Sequence, residues 1–179
     1  MLTFRPATAA DTSVIVDLVT SAYRGEASTA GWTTEAHLID GVRITPELLQ
    51  HDLDNPAGLV LLGVEGDGTV VTCCNLVARD ARVGYFGMFA VSPARQGEGL
   101  GKVVLAEAER LLRDEWSCTT MEMTVLDQRP ELVAFYERRG FVRTGTFEEF
   151  PYGDERFGTP RVAGLRLAVL RKPLEHPAL

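Results

Sequence analysis

Three glycines at alternate positions, Gly97, Gly99 and Gly101, stand between a strand-like run ending at Val91 and a helical apolar stripe beginning at Leu100. Without Cβ atoms, their backbone N–H groups can close around an anion, and the free N–H groups and positive dipole end of the following helix point at the same place. The loop Gln96–Lys102 is therefore expected to hold a phosphate or pyrophosphate; a plain strand–helix turn is the alternative. Two familiar nucleotide loops do not fit. Gly-x-Gly-x-x-Gly needs glycine where Lys102 stands. A P-loop needs four residues before its Gly-Lys pair and then Ser or Thr, whereas three residues separate Gly97 from Gly101 and Val103 follows Lys102.

Other chemistries find little support. Cys73, Cys74 and Cys118 lack Cys-x-x-Cys spacing, and adjacent cysteines in a strand point to opposite faces, so all three read as buried free thiols in a reducing cytosol. His37, His51 and His176 share no metal-ligand spacing and read as surface residues, so no metal is expected. The net charge of −7, without a basic stripe, argues against nucleic-acid binding. No apolar run approaches the ~20 residues of a membrane span, and the first residues lack the order of a signal peptide, so a cytoplasmic protein is expected.

The elements that must position the loop follow from periodicity and punctuation. Residues 2–5 read as a strand, and Asp11 as the cap of a helix carrying Val14, Ile15, Leu18, Val19 and Ala22 at helical spacing. Residues 25–43 read as an irregular segment with short helical pieces. Thr45-Pro46 starts a helix that Asp54-Asn55-Pro56 stops. Residues 59–64 and 69–77 form a hairpin around Glu65-Gly66-Asp67-Gly68, and a turn near Asp80-Ala81 leads to a strand over 82–91. A longer helix ends near Trp116, a strand covers 119–126, and Pro130 opens a helix closed by Gly140. Two strands, 141–147 and 164–170, end the domain, separated by the Gly- and Pro-bearing segment 148–163. The expectation is one α/β (α+β) domain over 1–179: a mixed, mostly antiparallel sheet of about seven strands flanked by about four helices. The strand 164–170 is expected at an edge, where it could support a homodimer.

Val91-x-Pro93-x-x-Gln96-Gly97-x-Gly99-x-Gly101 closely resembles the coenzyme A motif of the GNAT superfamily of acyl-CoA-dependent N-acetyltransferases. Ala134-Phe135-Tyr136-Glu137-Arg138-Arg139-Gly140-Phe141 resembles that family's Leu/Phe-Tyr-x-x-x-Gly-Phe signature at the right distance and with the right element order. The resemblance implies acetyl-CoA as cosubstrate and an amine as acceptor, attacked directly in a ternary complex. It implies that backbone atoms of Phe89, Ala90 and Val91 pair with the pantetheine arm, while Gln96, Gly97, Glu98, Gly99, Leu100, Gly101 and Lys102 cradle the pyrophosphate. Gly87 then marks either the family's bulge in this strand or a simple packing gap.

Acetyl transfer requires a neutral amine, stabilisation of the developing carbonyl charge, and a proton for the leaving thiolate. By its motif, Tyr136 is the acid that delivers that proton. The base is less defined, because residues 84–91 contain no Asp, Glu or His. Some relatives carry a glutamate where Thr124 stands; Glu122 shares that strand face and either acts through water or faces solvent. Glu35, Glu149 or water alone are the other candidates. The family's asparagine seven residues before the tyrosine is Arg129 here, which leaves its usual cofactor contact in doubt. Trp32 and Glu35 fall in the segment that borders the acceptor in relatives. Trp32 either walls the amine or caps the core, and Glu35 either contacts substrate or is solvated. A non-catalytic acyl-CoA-binding sensor of the same fold is the rival reading.

Overall fold

The computed structural model describes residues 2–80 and 82–175; Ala81 of the turn expected at Asp80-Ala81, and His176, expected at the surface, lie outside the described residues. The elements follow in the order β1 (Thr3–Pro6), α1 (Thr12–Tyr23), β2 (Ile39–Asp40), α2 (Pro46–Leu53), β3 (Gly58–Val64), β4 (Val70–Ala78), β5 (Val83–Val91), α3 (Leu100–Arg110), β6 (Thr120–Leu126), α4 (Pro130–Glu137), β7 (Val142–Glu149), β8 (Thr159–Pro160) and β9 (Arg166–Pro173). Local chemistry sets several boundaries. Thr45 Oγ1 accepts from the N–H of Leu48 at 3.2 Å ahead of Pro46, and Gly140 takes φ +89° just past α4. Beyond Arg110 the helix continues as a wider turn over Leu111–Glu115, ending where the apolar stripe ends at Trp116.

Seven strands form one sheet in the order β1-β3-β4-β5-β6-β9-β7. Only β5 and β6 run parallel; the other neighbours are antiparallel. Strand alternation divides the core between two faces. Leu62 and Cys73 pack with Ile15, Val19 and Leu49 of α1 and α2, whereas Leu61 and Cys74 pack with Val104, Leu105 and Val133 of α3 and α4. The adjacent cysteines thus face opposite layers, as expected, and all three thiols are free and buried. A separate ribbon, β2 with β8, ties together the two segments that the sequence leaves irregular. These are tertiary pairings of two residues each, too short for a periodic signal.

One expectation is corrected. β9 is not an edge: it bonds to β6 on one side and β7 on the other, so the edges are β1 and β7. A dimer through an exposed strand at 164–170 is thereby removed.

The sheet feature that matters most is the short contact between β5 and β6. Their ladder has only three rungs, Val83–Thr120, Gly84–Met121 and Tyr85–Glu122. Beyond it β5 bulges: Met88 and Phe89 together oppose the single residue Cys74 of β4, and Met88 takes φ +46°. The irregularity lies one residue past Gly87, which has a different task. A Cβ there would come within 2.6 Å of the Tyr85 ring, so Gly87 makes room for that ring. Tyr85 then reaches Thr124 Oγ1 at 3.0 Å across the widening gap.

The three-rung ladder depends on close packing beneath Gly84, where a Cβ would meet Leu112 Cδ2 at 2.4 Å. Gly84→Ala alone should destabilise by ~1–3 kcal/mol through overpacking. Leu112→Ala alone should cost ~2–5 kcal/mol. Because each change relieves the other, the double variant should lose clearly less than the sum in urea denaturation. Strict additivity would show that the two sites do not share this space.

Candidate active site

The divergence of β5 and β6 opens two cavities that meet. The larger, about 410 Å³, lies between the separated strands and is lined by Gly87 and Met88 of β5, Thr124 and Val125 of β6, and Glu148 and Glu149 of β7. The smaller, about 280 Å³, runs along the end of β5 to the start of α3 and is lined by Val91, Gly97, Gly99, Gly101 and Lys102. Four residues border both: Tyr23, Phe89, Leu132 and Tyr136. The common border of the two cavities thus includes both tyrosines.

The loop is built as its glycines require. Gly97 and Gly99 take φ +87° and +84°, and Gly99 is the left-handed cap of α3. The five successive N–H groups from Gly97 to Gly101 have no hydrogen-bond partner among the described residues, the first intrahelical-type bond being Lys102 N–H to Gly99 O at 3.0 Å. Such a row of N–H groups at a helix N-terminus is an anion cradle. Lys102 and Arg139 add positive charge to the same wall. Arg139 stacks on the Phe135 ring with its guanidinium carbon 3.4 Å from the centroid, and its Nε is buried without a partner.

Of the residues expected around a cofactor, Phe89, Val91, Gln96, Gly97, Gly99, Leu100, Gly101 and Lys102 line the smaller cavity, whereas Ala90 and Glu98 do not. Ala90 is turned into the α1–α2 core, and Glu98 accepts from Arg95 Nε at 2.8 Å. The Gln96 side chain is a clasp. Its Nε2 donates to Val91 O at 3.0 Å and to Thr33 Oγ1 at 2.9 Å, and its Oε1 accepts from the Trp32 N–H at 2.9 Å.

Tyr136 projects from α4, 5 % exposed, and its hydroxyl has no hydrogen bond among the described residues. Burial pushes its phenol well above the usual tyrosine value, with Tyr23 adding to the shift, so it holds its proton across the physiological range. Tyr23, which the sequence does not single out, closes α1 and donates its hydroxyl to the Phe89 carbonyl at the bulge. Burial raises its phenol as well, with Glu35 the next cause.

Three expectations change. Glu122 lines neither cavity. It sits on the last rung of the ladder, opposite Tyr85, and bridges Arg79 Nη1 at 2.8 Å and Arg171 Nε at 2.7 Å. Thr124, two residues on, is the first residue of that face to reach the opening. Trp32, 42 % exposed, borders the glycine-loop cavity rather than the larger one, its ring 5.4 Å from that of Phe135. Glu35 does line the larger cavity, yet it is 6 % exposed and not solvated.

Glu35 belongs to a buried ionic cluster that sequence reasoning missed. Its Oε2 accepts from Arg24 Nη1, and its Oε1 lies 3.9 Å from Arg129 Nη1. Arg129, 1 % exposed, pairs also with Glu131 and donates to the carbonyls of Thr33 and Trp32 at 3.0 and 3.2 Å. Arg129 and Gln96 therefore pin residues 32–33 from two sides. Burial pulls the Arg24 guanidinium down, which Glu35 offsets only in part. The arginine standing where relatives carry asparagine was the one available signal.

Arg129→Met keeps much of the volume but leaves two carbonyls unpaired and Glu35 with one cation. Removing one partner of a buried pair costs ~3–5 kcal/mol. Urea denaturation should show a loss of that order with an unchanged slope; a loss under ~1 kcal/mol would mean the segment is held by other contacts.

Comparison with known proteins agrees with this geometry. The family model described as the acetyltransferase (GNAT) family matches residues 19–141. A search of curated proteins finds no match. Among solved structures, the ribosomal-protein-S18-alanine N-acetyltransferase from Escherichia coli is similar in fold at TM-score 0.71 and 14 % identity, with 99 % of this chain and 97 % of that chain covered. A spermidine N-acetyltransferase variant from Vibrio cholerae is similar at TM-score 0.68 and 15 % identity, with 97 % and 95 % covered. Among the described residues there is no group of three or more His, Cys, Asp or Glu placed to hold a metal, and no helix long and apolar enough to cross a membrane. With the family model covering most of its length, from within α1 to the residue before β7, the chain belongs to the GNAT acetyltransferase family.

Proposed function

We propose that the protein transfers an acetyl group from acetyl-coenzyme A to an amine, with the thioester lying between Tyr23 and Tyr136. The observation that carries this reading is the meeting of the two cavities: the one with the anion cradle and the one between the strands share Tyr136 and Phe89. The fit of coenzyme A is supported by five successive N–H groups without partners, glycines whose added Cβ atoms would find no atom within 4 Å at Gly97 and Gly99, and two cations, Lys102 and Arg139, on the same wall. Acetyl-coenzyme A supplies the acetyl group as a thioester when bound.

The residues then divide the work. N–H groups of the loop hold the pyrophosphate, and the aromatic pair Trp32–Phe135 flanks that cavity. Tyr23, by taking the Phe89 carbonyl, fixes the bulge that keeps β5 away from β6. The amine reaches the junction from the larger cavity; its nitrogen forms the new C–N bond as the C–S bond breaks. The departing sulfur takes its proton from the Tyr136 hydroxyl. A free thiol has a pKa of ~8.5 and a phenol ~10; burial raises the Cys73 thiol of the adjoining core and the Tyr136 phenol in the same direction, so the phenol meets the leaving sulfur still holding its proton. The amine's surplus proton passes through water to Glu149, a carboxylate lining the larger cavity with no ion pair among the described residues. Glu35, another carboxylate of that lining, is already engaged by Arg24 and lies beside Arg129.

The test is acetyl transfer by the purified chain to a panel of amines, with two variants. Gly99→Val adds a side chain to the cradle at a backbone conformation costing it ~1–2 kcal/mol, so the protein should stay folded and lose coenzyme A binding in calorimetry. Tyr136→Phe should keep that binding and lower turnover by ~10²–10⁴-fold where chemistry limits the rate. Unchanged binding in the first or unchanged turnover in the second would remove the loop or the phenol from the reaction. Binding without transfer to any amine would instead indicate a sensor.

For the base, Glu149→Gln should lower the transfer rate by roughly tenfold, at or below the lower end of direct acid–base contributions because water relays the proton. A rate equal to that of the unaltered protein at every pH would leave proton removal to solvent alone.

A further inference from the structure

The charges around the larger cavity are unevenly distributed. Where α1 ends, the guanidinium groups of Arg24 and Arg129 pair with the carboxylates of Glu35 and Glu131. A third guanidinium, Arg43, belongs to none of these pairs. Arg129 is occupied with Glu131 and two carbonyls, and Arg24 with Glu35, although its Nε is buried without a partner. Arg43, half-buried, has no ion pair or hydrogen bond among the described residues and lines the cavity. Its guanidinium carbon lies 5.6 Å from the centroid of the Tyr23 ring, and Tyr23 is one of the residues shared by both cavities. The unpaired guanidinium thus sits beside the Tyr23 ring, which borders both cavities. The acidic residues Glu148 and Glu149 come from β7, on another wall, and are exposed. The rest of the lining is largely apolar, including Phe86, Leu126, Phe150 and Leu167.

From this distribution we infer that the acceptor is a free amino acid with an apolar side chain, its carboxylate seated on Arg43 and its amine presented between Tyr23 and Tyr136. An unpaired guanidinium in a partly desolvated wall is satisfied by a carboxylate, with which it makes paired, charge-assisted hydrogen bonds. An amino acid carries its carboxylate one carbon from its amine, which suits a guanidinium seated beside one of the two tyrosines that border both cavities. A polyamine brings no carboxylate and leaves Arg43 without a counter-ion, so a spermidine-like acceptor is disfavoured despite the fold shared with spermidine acetyltransferases. This inference rests on the acetyltransferase reading for the reaction, but not for the binding.

The experiment uses the full chain and three matched probes, L-phenylalanine, L-phenylalaninamide and 2-phenylethylamine, with spermidine as the polycation. Calorimetry on protein saturated with coenzyme A reads binding, and acetyl transfer reads kcat/KM. Hydrogen bonds to a charged group are worth ~1.5–3 kcal/mol, so L-phenylalanine should exceed its amide and the amine by roughly tenfold to a hundredfold in both measurements. Arg43→Gln should erase that preference, and Arg43→Lys, which keeps the charge without the fork, should restore part of it. L-Phenylalanine that binds selectively but is not acetylated would uphold this inference and overturn the catalytic one. Equal or better use of the amide, the amine or spermidine, a preference unchanged in Arg43→Gln, or no binding of L-phenylalanine would each overturn it.

Discussion

Parallel strands that stay paired along their length leave no room for a substrate between them, so this site depends on β5 parting from β6 after three rungs. The cause is local and expensive for a non-glycine residue: Met88 sits at positive φ, and the extra residue of the bulge turns the strand. Such a conformation persists only if its surroundings enforce it. Tyr23 does so from α1 by binding the Phe89 carbonyl, and Gln96 does so from the glycine loop by binding the Val91 carbonyl. At the closed end, the Glu122 bridge to Arg79 and Arg171 holds neighbouring strands where the ladder stops. Opening and closing of the same pair of strands are therefore fixed by different residues within a few positions of each other.

The segment between α1 and α2 is anchored at its later end by Leu38, Ile39 and Ile44 in the apolar core, and where it borders the cavities it is held by hydrogen bonds and charge. Trp32 and Thr33 are fastened through their backbones to Gln96 and Arg129, and Glu35 sits between two guanidinium groups. Burying an ionic cluster is a costly way to gain stability, since desolvation offsets most of the attraction. Its effect here is geometric: it sets which side of the junction each residue serves. Trp32 is directed to the glycine-loop cavity and Glu35 to the larger one, although only two residues separate them.

Desolvation also shapes the proton inventory. Both junction tyrosines are pushed up by burial, as are the Cys73 and Cys74 thiols of the adjoining core. Phenols that stay protonated can give a proton but cannot take one from an ammonium, so a proton acceptor has to come from the rim. The exposed carboxylates of β7, Glu148 and Glu149, stand at that rim.

What the sequence determined by itself was whatever is written in contiguous residues. The glycine loop was legible because a row of free N–H groups before one helix is made by consecutive residues, and the spacing of Gly97, Gly99 and Gly101 specifies it locally. Strand and helix order, the opposed faces of Cys73 and Cys74, and the place of Tyr136 on α4 followed for the same reason, from periodicity and motif. Alternation even put Glu122 on the face of Thr124 correctly; what it could not show was that the ladder closes at Glu122 and opens beyond it, because that depends on a bulge in the neighbouring strand. β9 read as an edge strand until its pairing with both β6 and β7 was known, since hydrogen-bond partners far apart in the chain leave no local mark. Tyr23, Arg24, Glu35, Arg43 and Arg129 come from three separate stretches, and each alone has an ordinary surface or helix reading. Only folding brings them together, where the loss of water turns unremarkable residues into a fixed, unevenly charged wall.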